Sequence, residues 1–244
     1  MTRILASLVL LGLVGCASKQ EVADLDARIK ALEEKLAKPE APAAAKPGTP
    51  GAPPASTPED DAASALMKEA QVAINAANFD LAKAKLAEIT EKYPETRAAK
   101  AATRIAAEIG IIGTDAPTME VEKWFQGKAN WDSKKATLVV FWEQWCPHCK
   151  EEMPKMQPLS EKWGSKLQVV GMTKVTKKST DELVTQFLSE NKIKFAVGKE
   201  KDGSLSKAFM VTGIPAAAIV KDGKIIWRGH PNKLTEAFLT QLLG

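Results

Sequence analysis

The apolar positions of this 244-residue chain change their spacing several times, and each change predicts a different structure. Residues 4–14 are almost continuously apolar, interrupted only by small residues. The run is shorter than the roughly 20 residues a membrane-spanning helix needs. Val22, Leu25, Ile29, Leu32 and Leu36 then alternate steps of three and four, the seam of a short coiled coil. Residues 39–58 lose all periodicity and are rich in proline and alanine, which predicts an extended, disordered linker. From Glu59 a helical period returns. Leu66, Ala70, Ala73 and Ala77 share one helix face, and Asn78-Phe79-Asp80 interrupts it. Leu81, Leu86 and Ile89 carry a second helix to Pro94. A third runs from Thr96 to about Ile109, with Gly110 and Gly113 as stop signals.

Beyond residue 113 strand and helix periods alternate. Strands are expected at 119–125, 136–142, 167–173, 194–197, 216–220 and 224–228. Residues 136–142 are nearly all apolar, as in a strand covered on both faces. Lys221-Asp222-Gly223 joins the last two strands as a hairpin turn. Helices are expected from Pro147 to about Trp163 and over 180–191, 204–210 and 234–243. The fold class is therefore α/β, preceded by a small all-α segment, a linker and a short coiled coil.

Composition narrows the function classes. The chain is 45% apolar and 26% charged, with a net charge of +4. Lysines and carboxylates alternate, and no basic cluster is interleaved with aromatics, so nucleic acid is not an expected partner. Three cysteines are too few for a disulfide-stapled scaffold. Two of them lie in Phe141-Trp142-Glu143-Gln144-Trp145-Cys146-Pro147-His148-Cys149-Lys150, where a buried strand hands over to a helix. A helix N-terminus favours a thiolate, so this Cys-x-x-Cys reads as a site of reversible disulfide chemistry. The third, Cys16, ends the apolar run at Leu13-Val14-Gly15-Cys16, with Arg3 before it.

That N-terminal pattern resembles a bacterial lipoprotein signal; the alternative is an ordinary signal peptide with an incidental cysteine. The resemblance implies loss of residues 1–15, lipidation of Cys16 and a membrane anchor facing the periplasm, with Ala17 favouring the outer membrane. Residues 16–38 would then be a lipidated N-terminus whose coiled coil lets copies associate as a homo-oligomer. The 39–58 linker could reach on the order of 60 Å from the lipid. Within 59–112, Phe79, Ala82, Leu86 and Pro94, with the small residues Ala70 and Ala77, resemble one tetratricopeptide repeat. About three repeats are normally needed to bury a core, so the segment should pack on a neighbour. A docking module and a helical spacer both remain open.

Residues 113–244 resemble the thioredoxin fold. The motifs that carry the likeness are Val140-Phe141-Trp142 through Lys150, Gly213-Ile214-Pro215, and Lys221-Asp222-Gly223-Lys224. Glu151-Glu152-Met153-Pro154 adds a likeness to membrane-tethered thiol-disulfide oxidoreductases of the TlpA/ResA type. The resemblance implies that Cys146 is the nucleophile and Cys149 the resolving thiol. The Cys146–Cys149 disulfide would be the redox group, with no other cofactor and no metal. Glu152 would act as acid/base, and Val140 occupies the place of thioredoxin's buried aspartate. His148 would hydrogen-bond the Cys146 thiolate or place charge near it, and Glu143 would raise the Cys146 pKa if turned inward. Pro215 should follow a cis peptide bond, Ile214 should pair through its backbone with a client segment, and Trp145 and Gly213 should complete the rim. Clients would be protein thiols and disulfides. The TlpA/ResA likeness favours a reductase, which needs an electron donor of the DsbD type. Pro147-His148, the dipeptide of DsbA, favours an oxidase or isomerase. Two rivals remain: a zinc site from Cys146, His148, Cys149 and His230, and a lipid-anchored adaptor that binds through its helical repeat.

Overall fold

The computed structural model describes residues 57–131, 134–174, 176 and 178–244. The expected signal peptide, Cys16, the coiled-coil seam and nearly all of the Pro/Ala linker lie outside the described residues. No helix among the described residues is long and apolar enough to cross a membrane.

Helices α1 (Pro58–Asn75), α2 (Phe79–Lys92) and α3 (Arg97–Gly110) form the helical segment. Each begins where a short polar side chain satisfies an orphan amide. The Thr57 hydroxyl accepts from Asp60 N–H while the Asp60 carboxylate accepts from Thr57 N–H, a capping box. Asn78 accepts from Leu81 N–H and Thr96 from Ala99 N–H. Ala63, Ala70, Ala73, Ala82, Ala99 and Ala102 line the core, so the helices approach closely around Leu86, Ile89 and Ile109. Ala77 is not on the α1 face as expected. The helix stops at Asn75, and Ala77 makes the following turn with φ of 52°.

A six-stranded sheet follows: β1 (Val121–Gln126), β2 (Ala136–Trp142), β3 (Leu167–Thr173), β4 (Ala196–Glu200), β5 (Ala216–Lys221) and β6 (Lys224–Gly229). Their order is β1-β4-β3-β2-β5-β6. The central pairs β2/β3 and β3/β4 are parallel, while β5, β6 and β1 join antiparallel. This is a thioredoxin-like α/β fold. Every residue of β2 is buried. Leu138, Val140 and Trp142 enter one core and Val139 and Phe141 the other, so both faces of the sheet are covered.

The first core lies under α4 (Pro147–Glu152), α5 (Met156–Trp163), α6 (Asp181–Glu190) and α8 (Glu236–Leu243); α7 (Ser204–Ala208) lies over the second. A single helix to Trp163 was expected after Pro147. Instead a 3-10 turn, Met153–Lys155, separates α4 from α5. Pro154 has no amide hydrogen to continue the α ladder.

The helical segment joins the sheet without slack. Ile112 packs against both the helical core and the second sheet core. Gly113, at φ of +95°, turns the chain along β6. There Gly113 N–H bonds Ile225 O at 2.7 Å, Ile225 N–H bonds Thr114 O at 2.9 Å, and Ala116 N–H bonds Gly223 O at 2.8 Å. Near the C-terminus Gln241 Nε2 donates to Ala76 O at 2.8 Å. Phe79 packs on the core that contains Trp227 and Phe238. The neighbour on which the helical segment packs is the chain's own sheet domain.

Candidate active site

β2 delivers Trp142 to the sheet end, and a short turn places Cys146 as the N-cap of α4. Cys146 has extended backbone angles, φ −79° and ψ 118°, and Pro147 occupies the first helical position. Cys146 Sγ accepts from Cys149 N–H at 3.3 Å, the place a serine or aspartate oxygen takes in an ordinary cap. Both cysteines are free and buried, Cys149 completely. On the other side of Cys146, Ile214 and Pro215 are joined by a cis peptide bond, as expected. The Cys146 thiol points at the Ile214 carbonyl oxygen, 3.8 Å away.

The inner sulfur lies in a perturbing environment. Burial pushes the Cys149 thiol pKa up, and its hydrogen bond with Cys146 pushes it further, against a smaller pull from the Glu143 backbone. Cys149 and Glu152 are the two buried residues of α4, three apart and so on one face. Glu152 is only 7% exposed. Its carboxylate is 2.7 Å from Lys155 Nζ, and that contact raises the lysine's pKa. It is therefore not a solvated surface glutamate.

Other residues fall differently from expectation. His148 does not reach Cys146; its side chain is 78% exposed, with Nδ1 4.0 Å from Glu151 Oε2. As the second helical residue of α4 it lies about half a turn round the helix from Cys146. Glu143 is engaged by Trp145, whose Nε1 donates to its carboxylate. The Trp145 indole is 44% exposed, with Lys178 Nζ 5.7 Å from its centroid. Val140 is fully buried. Gly213 is exposed, with open space where a Cβ would stand. The structure thus brings Cys146, Cys149, Ile214 and Pro215 together and sets His148 apart. Among the described residues no three His, Cys, Asp or Glu side chains cluster to hold a metal. His230 instead caps a turn, its Nδ1 accepting from Asn232 N–H at 3.2 Å.

A cavity of about 210 Å³ opens at the end of β2, lined in part by Trp142, Trp145, Ile214, Lys174 and Glu200. Sequence pattern alone does not reveal Glu200, which is 3% exposed and bonded to Ser206. In the run Lys199-Glu200-Lys201-Asp202 it looks like one more solvated charge. Arg228 was also missed, although a cation directly after the apolar stretch Ile225-Ile226-Trp227 was a usable signal.

Comparison with known proteins gives related chemistry. Residues 112–228 match the AhpC/TSA family. The thiol-disulfide oxidoreductase ResA of Bacillus thuringiensis subsp. konkukian is 33% identical over 118 residues, 48% of this chain and 63% of that protein. The sporulation thiol-disulfide oxidoreductase A of Bacillus subtilis is 28% identical over 87 residues, 35% of this chain and 53% of that protein. The chain thus spans less than two thirds of the length of these curated relatives. A thioredoxin-like protein solved in its oxidised form covers 53% of this chain and 94% of its own, at 24% identity and a TM-score of 0.48.

Proposed function

We propose that the chain, whose residues 112–228 match the AhpC/TSA family, is a cell-envelope thiol-disulfide oxidoreductase that reduces protein disulfides through Cys146 and Cys149. The observation that carries this is the asymmetry of the two thiols: Cys146 caps a helix beside the Ile214 carbonyl, and Cys149 is sealed one turn inward with its proton held.

The exchange runs in two displacements. The Cys146 thiolate attacks one sulfur of a client disulfide, and that S–S bond breaks. The second client sulfur leaves as a thiolate and takes a proton, and a mixed disulfide remains. Cys146 has then lost both its charge and its thiol proton, so its share of the influence on Cys149 disappears. Glu152, on the same face of α4, accepts the Cys149 proton. The Cys149 thiolate attacks Cys146 Sγ and expels the client sulfur first attacked as a thiolate, which takes the proton from Glu152. Two electrons have passed to the client, and the pair is left as a disulfide. No further cofactor is needed. Restoring the dithiol needs a membrane donor of the DsbD type. Lipidated Cys16, the coiled coil and the linker would hold the domain off the membrane, on the periplasmic side.

His148 supports the reductase direction over the oxidase or isomerase one. It faces solvent, so it makes no hydrogen bond to stabilise the reduced Cys146. The test is equilibration with glutathione, together with alkylation trapping of the steady state in cells. A potential near thioredoxin's, about −270 mV, with a reduced steady state is expected. A value near DsbA's, about −120 mV, with an oxidised steady state would overturn the direction. Insulin reduction that survives Cys146→Ser would overturn the oxidoreductase reading itself.

A further inference from the structure

Two charged side chains that the exchange steps leave unused bond residues of one stretch, 209–215, and a third reaches it through Ser206. This is the stretch that ends by presenting the Ile214 carbonyl to Cys146. Arg228, from β6, is 3% exposed. Its Nε donates to Phe209 O at 2.8 Å, its Nη2 to Met210 O at 3.3 Å and its Nη1 to Gly229 O at 3.1 Å. Burial lowers its pKa while Glu108 opposes the shift, and a guanidinium stays charged in either case. The cation is therefore solvated by backbone carbonyls, two of them in this stretch. Met210 there holds φ of 50°, a left-handed conformation that is strained for a non-glycine residue. Something must hold it, and two Arg228 nitrogens bracket that residue.

Glu200, from β4, reaches the same stretch indirectly, through Ser206. Its carboxylate accepts from Ser206 N–H at 2.8 Å and from the Ser206 hydroxyl, with Lys174 Nζ 3.7 Å away. Ser206 lies in α7, and its carbonyl accepts from Val211 N–H at 2.9 Å. The third tie comes from outside the sheet domain. Glu108, near the end of α3, accepts from the Thr212 hydroxyl at 3.2 Å. Thr212 and Gly213 are exposed, so side-chain packing does little to hold them.

We propose that Arg228, Glu200 and Glu108 are positioning residues that clamp 209–215, so that the Ile214 backbone stands ready beside Cys146 for an incoming client segment. Through Glu108 the helical segment becomes a working part of the redox site, neither a mere spacer nor a separate docking module. The proposal rests on the oxidoreductase reading above for its client, and on the hydrogen bonds alone for the clamp.

The test uses the full chain and three variants: Glu108→Ala, Glu108→Gln and Arg228→Lys. Two readouts are needed: hydrogen exchange of peptides covering 209–215, and KM and kcat for insulin reduction with dithiothreitol as electron source. Glu108→Ala should speed exchange in that stretch and raise KM about three- to tenfold, the worth of one hydrogen bond. The loss should fall on KM rather than kcat. Glu108→Gln keeps an acceptor for Thr212 and should recover most of it. Arg228→Lys keeps the charge, loses the planar fork, and should loosen the same peptides. Unchanged exchange or unchanged KM in Glu108→Ala would overturn the clamp, and so would faster exchange spread evenly through the sheet. If Arg228→Lys fails to fold, Glu108→Ala on the α3 surface decides between clamp and no clamp. A wild-type chain inert toward insulin but reactive toward 5,5′-dithiobis(2-nitrobenzoate) would refute the client reading. Exchange of 209–215 would then decide the clamp by itself.

Discussion

The raised pKa of Cys149 makes the stability of the reduced protein fall at alkaline pH. An unfolded cysteine ionises near pH 8.5. In the folded chain Cys149 is fully buried and keeps its proton well above that value. Above pH 8.5 the unfolded state therefore binds fewer protons than the native state, and unfolding becomes easier by about 1.4 kcal/mol per pH unit. The contribution is fully present below about pH 8.5 and is lost as pH climbs toward the folded value. By pH 10.5, two units higher, the loss is about 2.7 kcal/mol, a sizeable part of a typical 5–15 kcal/mol. Urea unfolding of the reduced chain, followed by tryptophan fluorescence in a non-thiol reductant from pH 7 to 10.5, measures it. Other groups also titrate in this range, so the quantity to follow is the stability difference between wild type and Cys149→Ala. That difference should shrink by about 2.7 kcal/mol across the range. A difference independent of pH, or one that grows, would refute the claim that the inner sulfur is held as a thiol.

Three further outcomes follow from the same packing. A methyl group at Gly171 would stand 3.0 Å from Met153 Cε and 3.1 Å from both Trp142 Nε1 and Val197 Cγ2. Gly171→Ala should therefore cost about 1–3 kcal/mol in chemical unfolding, despite the gain in strand propensity. Glu152→Gln should slow closure of the mixed disulfide about a hundredfold in stopped-flow, while iodoacetamide still labels Cys146 at its normal rate. Leu86 is fully buried at the centre of the helical segment. Leu86→Ala should cost about 2–5 kcal/mol, read as a fall in the thermal midpoint.

The parts of the fold that could be read from the sequence are those whose signal is local. β2 and β3 run from Ala136 to Trp142 and from Leu167 to Thr173 as expected, because a strand covered on both faces is a bounded apolar run. β4 was expected at 194–197 and lies at Ala196–Glu200. Its limits come from pairing with Val170–Thr173, a partner that local pattern does not contain. β1 is likewise shifted, to Val121–Gln126, by its pairing with β4. At the site, Cys146, Cys149, Ile214 and Pro215 stand out because each belongs to a short motif. Glu200 and Arg228 do not. Their partners are Ser206 and the carbonyls of Phe209 and Met210, groups that carry no side-chain signature of their role. Glu108 meets Thr212 across 104 positions of sequence.

The segment that runs along β6 has a consequence for association. An open sheet exposes unpaired amides and carbonyls along its two outer strands, a template on which a foreign strand can grow. Here Gly113 to Ala116 already occupies part of the β6 margin. The opposite margin, β1, is interrupted by two register shifts. Its charges Glu122 and Lys123 pair with Lys199 and Asp181, respectively. A half-unfolded polypeptide therefore finds little ladder to extend on either flank. Both flanks of the sheet are thus poor templates for edge-to-edge growth.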